Sequence, residues 1–278
     1  MKSGKAPAKP LARLGGAGSF RGHWPEYLME AAALGIFMVS AGAVTTLVDS
    51  PDLPFLALLP SPALRRALVG LAMGGTAIGI IYSPWGRRSG AHMNPAITLA
   101  FLRLGKIPPW DALYYAVFQV LGGLGGVLLT AAVLGAAFCR PPVNFVVTVP
   151  GPAGVPAAAI GEAVISVLIM GVILWASNRP GVAKYTGLLA GILISLFVTF
   201  ESPFSGFGMN PARTFSSALP SGTWTAFWLY AIIPPLGMLL AAEGYAKARG
   251  RSAVRCCKLH HRSNHPCIFC GERITPGF

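Results

Sequence analysis

A ten-residue string occurs twice in this chain. Residues 89–98 read SGAHMNPAIT and residues 205–214 read SGFGMNPART, identical at seven of ten positions. Each copy ends an irregular Gly/Ser-rich run on Asn-Pro-Ala and passes into an apolar stretch, 97–104 and 214–219, of only about two helical turns. Asparagine is a favoured N-cap, and proline at the first helical position lacks only an N–H that has no partner inside the helix. The strings therefore predict two short helices capped by Asn94 and Asn210, whose first turns hold Pro95 and Ala96 in one and Pro211 and Ala212 in the other. One Asn-Pro-Ala would be a weak signal in a soluble protein. Two in the same frame, each inside a hydrophobic chain and each opening a segment too short to cross a bilayer, are a strong one.

The rest of the chain fits a membrane. Of its 278 residues 54% are hydrophobic and 11% charged, far fewer charges than a soluble domain carries. Apolar runs of spanning length fall at 27–48, 63–83, 110–138, 157–176, 182–200 and 223–245. The expectation is an all-α membrane protein of six transmembrane helices and two re-entrant half-helices. Residues 1–23 are expected to be a basic disordered tail, with a transit peptide as the competitor. Residues 24–248 are expected to form the membrane domain, in halves 24–138 and 157–248, and 249–278 a basic Cys/His-rich tail. Each half holds an odd number of spans, so the second is inverted relative to the first. The half-helices then enter from opposite faces with their N-termini meeting near the midplane.

A net charge of +13 could suggest nucleic acid, but its placement argues otherwise. With the N-terminus cytoplasmic, 18 of the 22 basic residues fall on the inner side. The positive-inside rule accounts for them, so nucleic acid is not an expected partner. Both termini are expected in the cytoplasm, and the membrane is expected to be a plasma or inner membrane.

Glu30 and Glu162 lie about one turn inside the first and fourth spans. A carboxylate at that depth needs partners. Each is expected to hold the backbone of one irregular loop, with Gln119 and His92 as the other deep polar residues. A proton relay is the competing reading and would need more titratable groups between them. Small residues four apart, Gly70/Gly74 and Gly75/Gly79 in the second span and Gly187/Gly191 in the fifth, predict a close crossing of those helices.

Two helix N-termini facing one point set up a positive field there. Asn94 and Asn210 can cap their helices through oxygen and donate inward through nitrogen, which binds a neutral oxygen and opposes cations and hopping protons.

With both Asn-Pro-Ala motifs, the preceding Ser-Gly-Ala-His and Arg213, residues 26–246 resemble the major intrinsic proteins, the aquaporins and glycerol facilitators. The resemblance implies a passive channel with one pore per subunit, a homotetramer in the bilayer, and neither cofactor nor catalytic step. It also implies an outer filter of Arg213, Phe207, Val198 and either Met73 or Gly74. Water-selective relatives carry histidine where Val198 stands, whereas Phe207 resembles the glycerol-conducting type. Thr214 departs from the aspartate of glycerol facilitators, and Phe227-Trp228 resembles the water type. The expected cargo is water with small uncharged solutes such as glycerol, urea or hydrogen peroxide. The alternatives are a structural or adhesion protein of the same fold and a gradient-coupled transporter. An enzyme would need a nucleophile with a base, paired acids or a metal cluster at depth.

The resemblance leaves the tail aside. Residues 250–278 hold four of the five cysteines and three of the five histidines. Cys267-x-x-Cys270 has zinc-knuckle spacing, and Cys257 with His260 or His261 could complete a tetrahedral set. The expectation is a small zinc or redox site that gates or anchors the channel, against the plainer reading of a disordered basic tail.

Overall fold

The structure is a computed structural model, and it describes residues 15–261 and 267–271. Eight principal helices follow in chain order: α1 Gly16–Asp49, α2 Pro62–Tyr82, α3 Pro95–Arg103, α4 Pro109–Leu134, α5 Gly154–Ser177, α6 Ala183–Ser205, α7 Pro211–Ser221 and α8 Phe227–Arg249. All but α3 and α7 are long and apolar enough to cross a membrane. At 1.5 Å per residue α3 and α7 are roughly 14 and 16 Å long, so the two placed end to end match a hydrocarbon core of about 30 Å. The described residues contain no β-strand. This is the expected fold: six spans and two half-helices arranged as an inverted repeat.

The helices pack in pairs through backbone contact. α1 lies on α4, α2 on α6 and α5 on α8. On α2, a Cβ at Gly70 would stand 2.6 Å from the Ser195 carbonyl oxygen, and one at Gly74 would meet Gly191 and Ser195 of α6. The second and fifth spans therefore cross where the small residues predict, because only glycine lets the two backbones meet. Gly75 and Gly79 differ: nothing lies within 4 Å of a Cβ at either. They face away from the crossing and take no part in it.

Two element boundaries depart from the sequence reading. α1 begins at Gly16, so the disordered tail does not extend to residue 23; residues 1–14 lie outside the described residues. The extra turns are held from the side. Phe20 packs edge-on against Tyr114 at 5.4 Å, Tyr114 Oη–H donates to the Gly16 carbonyl, and His23 Nδ1 meets Asp111 Oδ1 at 2.8 Å. Hydropathy alone could not place them. The second departure is in α6, which opens as a 3-10 turn at Ala183–Tyr185 and widens into a π-helix at Phe197–Glu201. Such widened turns recur at functional sites, and this one carries Val198.

Candidate functional site: a pore between two half-helices

Each half-helix starts from a loop folded in the same way. Ala91 and Met93 have φ of 55° and 50°, and Phe207 and Met209 have φ of 56° and 50°. Residues with a Cβ avoid this left-handed region at a cost of roughly 1–2 kcal/mol each, so both loops need outside support. The two carboxylates supply it. Glu30 Oε1 accepts from Ser89 Oγ–H at 2.7 Å and His92 N–H at 3.0 Å, while Oε2 accepts from Met93 N–H at 2.7 Å and Gln119 Nε2–H at 2.9 Å. In the other half, Glu162 Oε1 accepts from Ser205 Oγ–H at 2.8 Å and Gly208 N–H at 2.6 Å, and Oε2 from Met209 N–H at 2.6 Å. Both carboxylates are fully buried. Hydrogen bonds to a charged acceptor contribute about 1.5–3 kcal/mol each, enough together to offset the loop conformation and much of the burial.

The sequence reading missed the tyrosines that complete each loop. Tyr115 Oη–H donates to the Ser89 carbonyl at 2.7 Å, and Tyr230 Oη–H to that of Ser205 at 2.6 Å. Their signal was available in the repeat, since Tyr115 follows Ser89 by 26 residues and Tyr230 follows Ser205 by 25.

The two asparagines meet as inverted symmetry requires. Asn94 Oδ1 caps α3 by accepting from Ala96 N–H at 2.8 Å, and Asn210 Oδ1 caps α7 through Ala212 N–H at 3.0 Å and Arg213 N–H at 3.2 Å. One N–H of each amide crosses to the opposite loop: Asn94 Nδ2 donates to Met209 O at 2.9 Å and Asn210 Nδ2 to Met93 O at 2.6 Å. An amide nitrogen has two hydrogens. The second on each is left for the cavity of about 50 Å³ that both residues line, whose walls include Leu34, Phe37, Ile169, Ile173 and Ile194.

A second cavity of about 240 Å³ lies towards the α1–α2 connection and is lined by Asp49, Arg66, Met73, Val143, Val146, Val198 and others. Phe207 and Arg213 line both cavities and so mark the constriction between them. Arg213 Nη1 is buried there without a protein partner. Of the two second-span candidates, Met73 lines this vestibule and Gly74 is pressed against α6. Arg213, Phe207, Val198 and Met73 thus all line this vestibule.

His92 breaks the repeat. Its counterpart is Gly208, where a Cβ would fall against the Tyr230 ring. The buried His92 ring stacks on Phe101 at 5.2 Å, and its Nε2 lies 2.8 Å from the Cys257 carbonyl. A carbonyl only accepts, so Nε2 carries a proton, and Nδ1 lies 3.0 Å from Thr98 Oγ. The tail therefore sits directly on the first loop. Its cysteines and histidines do not group as expected. Cys257 and His260 are corrected to Cys256 and His261, which share one cluster with Cys267 and Cys270. Cys257 is buried with its carbonyl on His92, and His260 packs edge-on against Tyr82 at 4.8 Å.

The fold and site define a six-span integral membrane protein whose two inverted halves meet at paired half-helices. The sequence model of the major intrinsic protein family matches residues 23–245, and the chain belongs to that family. It is 34% identical to aquaporin NIP1-3 of Oryza sativa subsp. japonica over 172 residues, covering 62% of this chain and 58% of that protein. It is also 34% identical to aquaporin NIP1-1 of Zea mays over 62% of this chain and 59% of that protein. The chain thus spans about three-fifths of the length of these relatives. In architecture it resembles the aquaglyceroporin of Plasmodium falciparum, with a TM-score of 0.65 at 18% identity, covering 83% of this chain and 98% of that one.

Proposed function

We propose that the chain is a passive channel for water and small uncharged solutes. The observation that carries this is a line of donors on an otherwise apolar path: the free N–H of Asn94, that of Asn210, and Arg213 Nη1. A passing oxygen accepts from these in turn. Because α3 and α7 point their N-termini at the same place, the field there favours the acceptor side of a solute and opposes cations and a hopping proton. Arg213 adds a second positive charge at the constriction. Phe207, Val198 and Met73 give the vestibule three apolar walls, suited to carbon as well as oxygen, so glycerol, urea and hydrogen peroxide are the solutes to test beside water. Transport by this route needs no chemical step and no driving ion.

Arg213, Phe207, Val198 and Met73 act in this reading as the filter, and Glu30, Glu162, Gln119 and His92 as supports of the loops. The likeness to plant aquaporins favours the channel over an adhesion role or a coupled transporter. By the same family likeness the assembly is a homotetramer with a pore in each subunit, which native mass spectrometry in detergent would test. The distribution of basic residues supports cytoplasmic termini, and a plasma or inner membrane is the proposed setting.

Stopped-flow swelling of proteoliposomes tests the function, using the full chain and a Leu259→Ala variant, since Leu259 lines the same cavity as the two asparagines. Water permeability well above protein-free liposomes in at least one of the two forms, together with glycerol flux in that form, is the expected outcome. Water without glycerol would remove the broader cargo, and neither in both forms would remove the channel.

A further inference from the structure

Residues 256–261 cross the pore on the side from which α3 enters. Leu259 is 2% exposed and lines the same cavity as the two asparagines. Two hydrogen bonds seat this segment on the first loop: His92 Nε2–H to the Cys257 carbonyl at 2.8 Å, and Leu259 N–H to the Gly90 carbonyl at 3.2 Å. Lys258, 3% exposed, packs against Gly90. A leucine in this position closes the cavity at one end, whereas the vestibule at the other end stays several times larger.

The donors that flank this segment form a cluster of their own. Cys256 begins it, His261 ends it, and Cys267 and Cys270 come back to meet them. One donor atom from each lies within 4.8 Å of all the others. Cys256 Sγ and Cys267 Sγ are 3.5 Å apart, and His261 Nε2 and Cys270 Sγ are 3.1 Å apart. Tetrahedral zinc with three sulfurs and one nitrogen sets its donor atoms about 3.5–3.8 Å apart. A sulfur pair at 3.5 Å is far outside a disulfide bond. Three soft thiolates and an imidazole suit zinc above the harder cations.

We propose that Cys256, His261, Cys267 and Cys270 bind one zinc ion, and that this ion clamps residues 257–260 across the inner pore mouth so that zinc binding closes the channel. The gating half rests on the channel reading above; the metal half does not. The ion would fix both ends of a four-residue loop, so Leu259 would leave the pore only when the clamp is released.

Elemental analysis and swelling assays on the full chain test both halves. Purified protein is expected to carry one zinc per chain, lost in Cys267→Ser/Cys270→Ser. Water permeability is expected to be low with zinc and to rise several-fold on strong chelation or in that double variant. Leu259→Ala is expected to keep its zinc and conduct freely, which separates the plug from the clamp. No zinc in the full chain, zinc retained by the double variant, iron in its place, or a Cys256–Cys267 disulfide by mass spectrometry would overturn the metal site. Zinc bound, with the chelated and metal-bound forms conducting equally, would overturn the gate. If no form conducts, the channel reading fails and the gate with it, while zinc content still decides the site.

Discussion

Glu162 shows how much a single side chain carries here, because three donors converge on it: Ser205 Oγ–H, Gly208 N–H and Met209 N–H. Glu162→Ala strands all three in a buried site, at about 1–3 kcal/mol apiece. The variant is therefore expected to lose several kcal/mol and to aggregate at distinctly lower temperature in detergent. Glu162→Gln keeps one oxygen acceptor and is expected to fall between, as thermal aggregation curves of the three proteins would check. Arg213 contributes differently. Its Nη1 has no hydrogen-bond partner in the protein, so Arg213→Val is expected to fold normally, retain water flux and leak protons or cations, read with a pH-sensitive dye inside liposomes. An unchanged leak would show that the half-helices alone supply the barrier. The role of the glutamates was legible in the sequence, since a carboxylate at bilayer depth has to be partnered. Tyr115 and Tyr230 were not, because tyrosine is ordinary near a membrane interface and only the repeat singles them out. Nor could sequence choose between Cys256 and Cys257, or His260 and His261. Adjacent residues point in different directions, and which of them reaches Cys267 depends on how the backbone turns over Gly90.

At the scale of helices, hydrophobic length located the six spans, and Asn-Pro located the starts of α3 and α7 at Pro95 and Pro211. What hydropathy could not register was structure held by side contacts. The first turns of α1 rest on Tyr114 and Asp111, and the π-helical turn of α6 is a change of backbone pitch that leaves composition untouched. Helix contacts follow the same logic, because a small-residue motif says that close approach is allowed without saying which glycine uses it. Gly74 and Gly75 make the comparison within one helix. Gly74→Leu drives a side chain into the Gly191 backbone and Ser195, and a backbone contact cannot be relieved by a rotamer change. That cost belongs at or above the top of the ~1–3 kcal/mol usual for overpacking. Gly75→Leu enters open space. The first variant is expected to run as aggregate on size exclusion while the second stays monodisperse; equal behaviour would mean that the α2–α6 crossing can shift to accept a side chain.

Over the whole molecule, the inverted repeat makes the two ends of the pore nearly equivalent, and what distinguishes them lies outside the repeat. On one side residues 143–151 pack over the second loop, with Gly151 N–H donating to the Phe204 carbonyl at 2.9 Å, and leave the 240 Å³ vestibule lined by Val143 and Val146. On the other, the tail packs over the first loop and narrows the path to Leu259. A chain of two matched halves gives the insertion machinery little hydrophobic reason to prefer one orientation. On the topology expected from the sequence, 18 of the 22 basic residues belong to the tail side and would provide that reason. The orientation decides which compartment's zinc and redox state the tail would meet, so it bears on the clamp as directly as the donor geometry does. Thr225, exposed between α7 and α8, and Ser252, exposed just after α8, report opposite sides. In a Cys139→Ala background, Thr225→Cys is expected to react with an impermeant maleimide on intact cells, and Ser252→Cys only after permeabilisation. The reverse pattern would put the tail outside, where its thiols would face an oxidising medium, and a zinc-held gate on the inner mouth would have to be abandoned.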